Sequence, residues 1–378
     1  MTTSISELDT PTLLLERAKV AANAARLVSH IELLGSRLRL HVKTAKCLEV
    51  TRLVQGDVPG PITVSTLKEA EEFAAHGFRD ILYGVAFAPS KLARAQALVR
   101  SGVKLTIVLD SPDTALALAA ALKPGDPALP VLVEIDCDGH RSGLRPDDPR
   151  IIGIARILGP TRAKVCGVMT HAGGSYDCRS IDAIRAIAGR ERDAVVQAAG
   201  RLREAGFDAR VVSVGSTPTA TYTQDLTGVT EVRAGVFVFF DLVMAGIGVC
   251  RVEDIALSVL GTVIGHQREK GWTLIDAGWM AMSRDRGTAK QPVDQGYGIV
   301  CDVAGEPIPG LIVSDASQEH GIISHRSGDP AKMPALPVGT QVRILPNHAC
   351  ATAAQYDRYQ VLEGTPRVEA VWPRFSGW

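Results

Sequence analysis

The sequence predicts a parallel (β/α)8 TIM barrel followed by a second domain built only from β-strands. Between residue 12 and about residue 240, eight short apolar runs alternate with segments of helical composition. Beyond Cys250 the strand-like runs continue, but turns rich in Gly, Pro and Asp separate them and no long helical pattern appears. A doubly wound open sheet is less favoured, because no Gly-x-Gly-x-x-Gly follows the first strand and because eight strands suit closure.

Each element follows from a local pattern of residues. The barrel strands are predicted at 38–40, 62–64, 81–83, 105–109, 131–135, 165–169, 211–214 and 231–233, and helices between them include 67–76, 90–101 and 181–205. The later strands are predicted at 255–264, 273–275, 298–303, 321–324, 341–345, 359–361 and 368–372, with loops at 305–310 and 328–338. We therefore predict a (β/α)8 barrel over residues 12–248 and a β domain over residues 249–378, which residues 1–11 join.

Composition narrows the functional class. Lys and Arg together number 41, as do Asp and Glu, so the chain lacks the basic excess typical of nucleic-acid binders. No apolar run is long enough to span a membrane, and residues 1–6 lack the charged and apolar regions of a signal peptide. Seven scattered cysteines, an odd number, are expected to be reduced thiols in a cytoplasmic protein.

Lys43 is the most informative single residue. It follows the first predicted barrel strand, in the segment His41-Val42-Lys43-Thr44-Ala45-Lys46. A lysine at the carboxyl end of a barrel strand faces the mouth of the barrel, where catalytic groups of this fold lie. There, a desolvated amine can form a Schiff base with a carbonyl compound. A solvated surface lysine is the alternative, but polar or glycine-rich clusters follow several other strands and favour the catalytic interpretation.

The segment Gly215-Ser216-Thr217 follows the seventh predicted strand and precedes helical sequence. Backbone N–H groups and hydroxyls at such a position can bind a phosphate, and Gly235 after the eighth strand can add an amide. An ordinary helix cap is the alternative for this turn. Combined with a lysine after the first strand, the pattern predicts a phosphorylated carbonyl cofactor, of which pyridoxal 5′-phosphate (PLP) is the obvious candidate. A sugar-phosphate aldolase that uses the lysine directly stays open.

His348 and Cys350 form a His-x-Cys pair near the end of the sequence. On an extended segment, residues two apart share a face, so both could bind one ion. Imidazole and thiolate suit Zn²⁺, and two protein ligands would leave positions open for water or substrate. From the residues alone, a loop histidine beside a buried structural cysteine is favoured, because two ligands are few for a metal site.

Together these motifs resemble the D-serine dehydratase and D-threonine aldolase family of fold-type III, alanine-racemase-like PLP enzymes. The resemblance extends over almost the whole chain, from Asp9-Thr10-Pro11-Thr12 to Cys350, and its most specific part is the order of the 41–46 motif and the His-x-Cys pair. One departure is Ala45, where the family motif has histidine.

The resemblance implies a barrel plus a β domain, a homodimer, PLP bound to Lys43, and a divalent metal, Zn²⁺ or another cation such as Mn²⁺, Co²⁺ or Mg²⁺. It implies that Arg141 lies near the phenolic oxygen of the cofactor and that His171 and Tyr176 contact cofactor or substrate. It also assigns residues to the phosphate and the metal: Gly215, Ser216, Thr217 and Gly235 for the phosphate, and His348 and Cys350 for the metal.

Within that family, dehydratases tend to carry His-x-Cys and aldolases His-x-Asp, so Cys350 favours dehydration. The implied substrate is a β-hydroxy D-amino acid (D-serine, D-threonine or D-threo-3-hydroxyaspartate), converted to a 2-oxo acid and ammonia. The alternatives are a D-threonine-type aldolase that releases glycine, an amino-acid racemase that needs no metal, and a non-catalytic PLP carrier. The additional β domain argues against the carrier.

Overall fold

A computed structural model describes residues 3–378, which form two compact units. The sheet unit comprises the described residues up to Ala24, together with Thr44–Leu53 and Val236–Ser376. The barrel unit comprises Ala25–Lys43, Val54–Gly235 and Gly377–Trp378. Each unit is therefore assembled from separated parts of the sequence. The predicted domain boundary between residues 248 and 249 stays a prediction.

The strands and helices follow the chain in this order. The strands are β1 Thr3–Ser4, β2 Thr12–Glu16, β3 Leu38–His41, β4 Ile62–Val64, β5 Asp80–Ala86, β6 Lys104–Leu109, β7 Leu129–Ile135, β8 Ala163–Thr170, β9 Val211–Val214, β10 Glu231–Ala234, β11 Leu257–Gln267, β12 Trp272–Ile275, β13 Gly298–Cys301, β14 Pro307–Ala316, β15 Gly321–His325, β16 Gln341–Pro346, β17 Arg358–Leu362 and β18 Arg367–Pro373. The helices are α1 Arg17–Leu33, α2 Leu48–Gln55, α3 Leu67–Ala75, α4 Leu92–Arg100, α5 Pro112–Ala121, α6 Arg150–Leu158, α7 Ile181–Glu204, α8 Thr217–Tyr222, α9 Leu242–Gly246, α10 Trp279–Met282 and α11 Ala349–Ala353. Among these helices of the described chain, none combines the length and apolar composition that a membrane crossing requires.

The barrel unit closes as predicted. Strands β3 to β10 form a closed barrel in which every strand pairs in parallel with its neighbours, and β10 pairs with β3 through Val232 and Leu38. The strands are short and rich in β-branched residues, because both of their faces are buried. Side-chain caps mark the starts of helices between them, such as the Thr66 hydroxyl that accepts the N–H of Glu69.

The sheet unit contains one ten-stranded sheet, in the order β1-β18-β17-β2-β11-β12-β15-β14-β13-β16, with β11 also paired to β16. Thr12–Glu16 belongs to this sheet, where it pairs with β11 and β17. The predicted loop at 305–310 is wrong, because Pro307–Ala316 forms a strand. Its pairing with β15 begins only at Leu311, so the prolines at 307 and 309 remove no donor from that ladder.

Candidate active site

Lys43 lies two residues beyond the end of β3 and is exposed. Its position is set by the preceding residue, whose N–H donates to the carbonyl of Thr63 at 3.0 Å and so extends the β3–β4 contact. Nearby, burial and the positive charge of Lys43 lower the pKa of His41 well below its ordinary value. The exposed amine is therefore free to react with a carbonyl group, beside a histidine that is neutral at physiological pH.

His171 follows β8, and its Nδ1 lies 2.8 Å from the carbonyl oxygen of Gly215. Because a carbonyl can only accept, Nδ1 carries the proton and Nε2 keeps a lone pair. Burial lowers the pKa of His171 to about 3, so the ring is neutral. The ring of Tyr176 lies 6.1 Å away, centroid to centroid, which brings these two predicted residues together.

Arg141, in the loop after β7, is exposed, and its Nη2 lies 3.8 Å from Oε1 of buried Glu134. Burial raises the pKa of the Glu134 carboxyl, and the Arg141 charge acts in the opposite direction. The guanidinium is thus near the barrel strands with most of its donors unused by this long contact. It is available to an acceptor oxygen of a bound cofactor.

The predicted phosphate segment begins at a glycine that no other residue could replace. Gly215 has φ of +150°, and a Cβ there would lie 1.9 Å from the carbonyl oxygen of Arg233. The next residue, Ser216, caps α8 by accepting the N–H of Thr219. Its hydroxyl also lies 2.9 Å from that of buried Ser175.

Thr217 tests whether these residues fit a phosphate. Its hydroxyl is buried, and within residues 3–378 it has no hydrogen-bond partner. An unpaired buried hydroxyl costs free energy of about 1–3 kcal/mol unless a ligand satisfies it. Gly235, after β10, is also buried in the same unit. An acceptor-rich anion such as a phosphate would supply the partner that Thr217 lacks, so the residues fit the group.

Glu191 is a residue of this site that the sequence analysis missed. It lies on α7, fully buried, and its Oε1 accepts the N–H groups of Ala172 at 3.2 Å and Gly215 at 2.9 Å. It thereby ties together the segments that follow β8 and β9, and it occupies the Gly215 amide that we expected to hold phosphate. The sequence does carry one sign of a buried role for Glu191. It lies on the apolar face of its helix, between Ile187 and Ala194, which are also buried.

His348 and Cys350 lie together in the sheet unit and hydrogen-bond to each other. The expectation of an extended segment is wrong, because His348 precedes α11 and Cys350 lies within that helix. The Cys350 sulfur is also 3.2 Å from the hydroxyl of Thr44, which follows Lys43 directly in the chain. Among the described residues no group of three or more His, Cys, Asp or Glu side chains is arranged to hold a metal ion, so the pair offers two ligands.

The surroundings of His348 favour a positive charge. Its Nδ1 lies 2.6 Å from Oδ2 of Asp285, and the buried carboxylate of Asp241 is also close. Although burial lowers it, the contacts with Asp285, Cys350 and Asp241 raise the pKa of His348 to about 11. Since Nδ1 faces Asp285, Nε2 is the nitrogen left for an ion. An anionic pocket with an imidazole and a thiol fits a divalent cation such as Zn²⁺.

Comparison with known proteins agrees with this architecture. The family model described as "Alanine racemase, N-terminal domain" matches residues 15–243, and that described as "Putative serine dehydratase domain" matches residues 256–362. D-threo-3-hydroxyaspartate dehydratase of Delftia sp. (strain HT23) is 50% identical over 381 residues, covering 100% of both chains. D-serine dehydratase of Dictyostelium discoideum is 28% identical over 96% of each chain.

Solved structures extend the likeness to three dimensions. The Delftia dehydratase superposes with a TM-score of 0.95 at 51% identity, covering 99% of this chain and 100% of that chain. Solved structures titled D-threo-3-hydroxyaspartate dehydratase include one variant with a histidine replaced by alanine and another with a cysteine two positions further on replaced by alanine, the latter in the metal-free form.

The barrel, the ten-stranded sheet and these matches define a PLP-dependent enzyme of the alanine-racemase-like class. More particularly, the chain belongs to the D-serine dehydratase family, whose members are carbon–oxygen lyases. Aldolases are more distant relatives; the 3-hydroxy-D-aspartate aldolase of Paracoccus denitrificans is 26% identical over 97% of this chain and 92% of its own length. The prediction of a dehydratase is confirmed at this level.

Proposed function

We propose that this protein is a PLP- and Zn²⁺-dependent dehydratase that acts on D-threo-3-hydroxyaspartate. The observation that carries the proposal is the 50% identity, over the whole chain, to an enzyme named for that activity. Elimination of water from this substrate leaves an enamine, which hydrolyses to a 2-oxo acid and ammonia. The homodimer and the cytoplasmic location implied by the resemblance stay predictions.

The residues of the barrel unit would hold the cofactor. Lys43 would bind its aldehyde, Thr217 with Ser216 and Gly235 its phosphate, and Arg141, His171 and Tyr176 its ring or the substrate. PLP supplies an electron sink that stabilises negative charge at Cα when a proton leaves. Neutral His171 suits contact with a ring or hydroxyl, because it adds no charge that would compete with that sink. Glu191 keeps the segments after β8 and β9 in place.

Lys43 would have a second role as the base. Its amine would accept the Cα proton of the bound D-amino acid. The peptide bond to Thr44 connects this lysine directly to a residue whose hydroxyl contacts Cys350. Thr44 is fully buried, which limits movement of the segment that follows the base.

The His348–Cys350 pair would hold Zn²⁺ as a Lewis acid. Hydroxide is a poor leaving group, and a cation held by this pair would supply the Lewis acidity that lowers the free-energy cost of its departure. The spacing of the pair matches that of the histidine and cysteine replaced in the two variant structures of D-threo-3-hydroxyaspartate dehydratase, of which the cysteine variant is in the metal-free form. This match supports the metal assignment; Mn²⁺, Co²⁺ and Mg²⁺ are tested alongside Zn²⁺ in the experiment below.

The proposed reaction is tested with a panel of substrates. The purified protein with PLP and each of the four cations receives D-threo-3-hydroxyaspartate, D-serine or D-threonine, and ammonia, 2-oxo acid and glycine are measured. We expect ammonia and 2-oxo acid in equal amounts, fastest with D-threo-3-hydroxyaspartate. Glycine with an aldehyde would identify an aldolase, and racemised amino acid without ammonia would identify a racemase.

Arg284 is our candidate for binding the second carboxylate of 3-hydroxyaspartate. It is exposed, lies over the ring of Trp279 at 4.9 Å, and has no carboxylate partner among the described residues. Arg286, by contrast, already pairs with Asp294 at 2.8 Å and contacts the ring of Tyr297. Of the two arginines in this turn, Arg284 is therefore the one whose charge remains available to a ligand.

The prediction is a loss confined to the dicarboxylic substrate. Replacing Arg284 with Ala should lower kcat/KM for D-threo-3-hydroxyaspartate roughly 10- to 100-fold, because a hydrogen bond to a charged group contributes about 1.5–3 kcal/mol. Activity on D-serine should change little, since D-serine has no second carboxylate. Arg286→Ala is the matched control and should affect both substrates equally. Equal losses on both substrates in Arg284→Ala would discard the assignment.

A further inference from the structure

The feature of interest is the contact between His348 and Asp285, in the turn that follows α10. Nδ1 of His348 lies 2.6 Å from Oδ2 of Asp285, and both side chains are more than a third exposed. The carboxylate can only accept, so Nδ1 donates to it, and Nε2 is the nitrogen that would give up its proton to a bound cation. A histidine that binds a metal through one ring nitrogen usually donates the N–H of its other ring nitrogen to a carboxylate or carbonyl oxygen.

The turn that carries Asp285 is held in an unfavourable conformation. Ser283 has φ of +78°, in the left-handed region that residues other than glycine seldom adopt. Its hydroxyl accepts the N–H of Asp285 at 3.2 Å, which fixes the start of the turn. Strain of this kind costs of order 1–3 kcal/mol and persists only where the surroundings enforce it.

The surroundings that enforce it centre on Asn347, the residue before His348. Its Nδ2 donates to the carbonyl oxygens of Asp285 at 3.3 Å and Gly296 at 2.6 Å, and its Oδ1 accepts from Thr288 at 3.0 Å. Asn347 and Thr288 are both buried. One buried amide therefore fixes the turn of Asp285 directly against the backbone of His348.

A second carboxylate fixes the other side of the histidine. Asp241 is buried, and its two oxygens accept the N–H groups of Met244 at 2.9 Å and Ala349 at 3.0 Å. Because Ala349 follows His348 and begins α11, this contact sets the backbone from which His348 and Cys350 project. Both Asp241 oxygens are occupied by backbone donors, so the ring of His348 is left to Asp285.

The stability of an exposed ion pair does not account for this construction. A pair that water reaches contributes about 0–1 kcal/mol, which does not exceed the strain at Ser283. The contact therefore orients the ring of His348 and does not add net stability to the fold. We propose that Asp285 is a positioning residue that holds the His348 ring with Nε2 toward a bound cation and so sets the affinity of the His348–Cys350 site. The inference rests on the metal assignment in the proposed function.

The test measures Zn²⁺ affinity in the PLP-loaded enzyme by competition with a chromophoric chelator, with metal content measured separately. We expect Asp285→Ala to weaken Zn²⁺ binding roughly 10- to 100-fold, the usual effect of removing such a partner. Asp285→Asn should lie between Ala and the wild type, because its amide oxygen can still accept from Nδ1 without the negative charge. The visible absorbance of the cofactor should stay unchanged in both variants.

Asp294→Asn is the matched control, since Asp294 lies in the same segment but pairs with Arg286. It should bind Zn²⁺ as the wild type does. Affinities of both Asp285 variants within twofold of the wild type would overturn the inference, as would an equal loss in Asp294→Asn. Failure of the metal assignment itself would look different: the wild type would bind no stoichiometric Zn²⁺, and His348→Ala would change nothing.

Discussion

Replacement of Lys43 by Ala should abolish covalent binding of PLP and lower turnover of D-threo-3-hydroxyaspartate by at least about 1,000-fold. A positioned acid–base group alone contributes roughly 100- to 10,000-fold, and Lys43 is also proposed to anchor the cofactor. No second lysine is available from the same strand end except Lys46, which lies beyond two buried residues, Thr44 and Ala45. The measurements are the visible absorbance of the cofactor and the rate of ammonia release.

Two variants sharpen that test. Lys43→Arg retains the positive charge but not the nucleophilic amine, so it should fail as completely as Ala does. Lys46→Arg is the neighbouring control and should keep both the absorbance band and the activity, because it preserves charge and size. An absorbance band in Lys43→Ala that borohydride can still reduce onto the protein would contradict the assignment.

Removal of either metal ligand should stop elimination while leaving the cofactor bound. His348→Ala or Cys350→Ala should lose Zn²⁺ and lower ammonia release by about 1,000-fold or more, because a Lewis acid at the leaving group contributes several kcal/mol. The cofactor band should remain, since the residues proposed to bind PLP belong to the barrel unit. Metal content, absorbance and ammonia release measured on one preparation would show this separation.

Chelation of the wild type provides the reversible form of this experiment. Excess chelator should abolish turnover, and added Zn²⁺ should restore it. Cys178→Ala is the matched control, because Cys178 is a buried thiol of the barrel unit and is assigned no ligand. Its metal content should equal that of the wild type. Full activity in excess chelator would remove the metal from the reaction.

The barrel was predictable because its strands carry a local signal. Each is a short apolar run buried on both faces, and the eight predicted runs coincide with the observed β3 to β10 to within a few residues. The strands Thr12–Glu16 and Pro307–Ala316 were harder to assign. Thr12–Glu16 pairs with residues more than 200 positions away, and prolines obscure the start of Pro307–Ala316. Pairing over such distances leaves no mark on the local sequence.

The residues of the candidate site also fall into two groups, those that a local sequence pattern indicates and those that only long-range contacts reveal. Lys43, Gly215 and the His348–Cys350 pair could be singled out because each lies in a recognisable motif or directly after a strand. Glu191 and Asp285 could not, since their importance depends on which distant groups they touch. Glu191 lies in the middle of a long helix, and Asp285 lies 63 residues before its histidine. Only the folded chain shows that one joins two strand ends and the other orients a metal ligand.

Borohydride reduction of the PLP-loaded protein, followed by mass spectrometry of its peptides, tests directly whether Lys43 binds the cofactor covalently. We predict a single pyridoxyl group, located on the side chain of Lys43. A pyridoxyl group on a different residue, or a protein that keeps none after reduction, would contradict the assignment of this lysine and with it the proposed reaction.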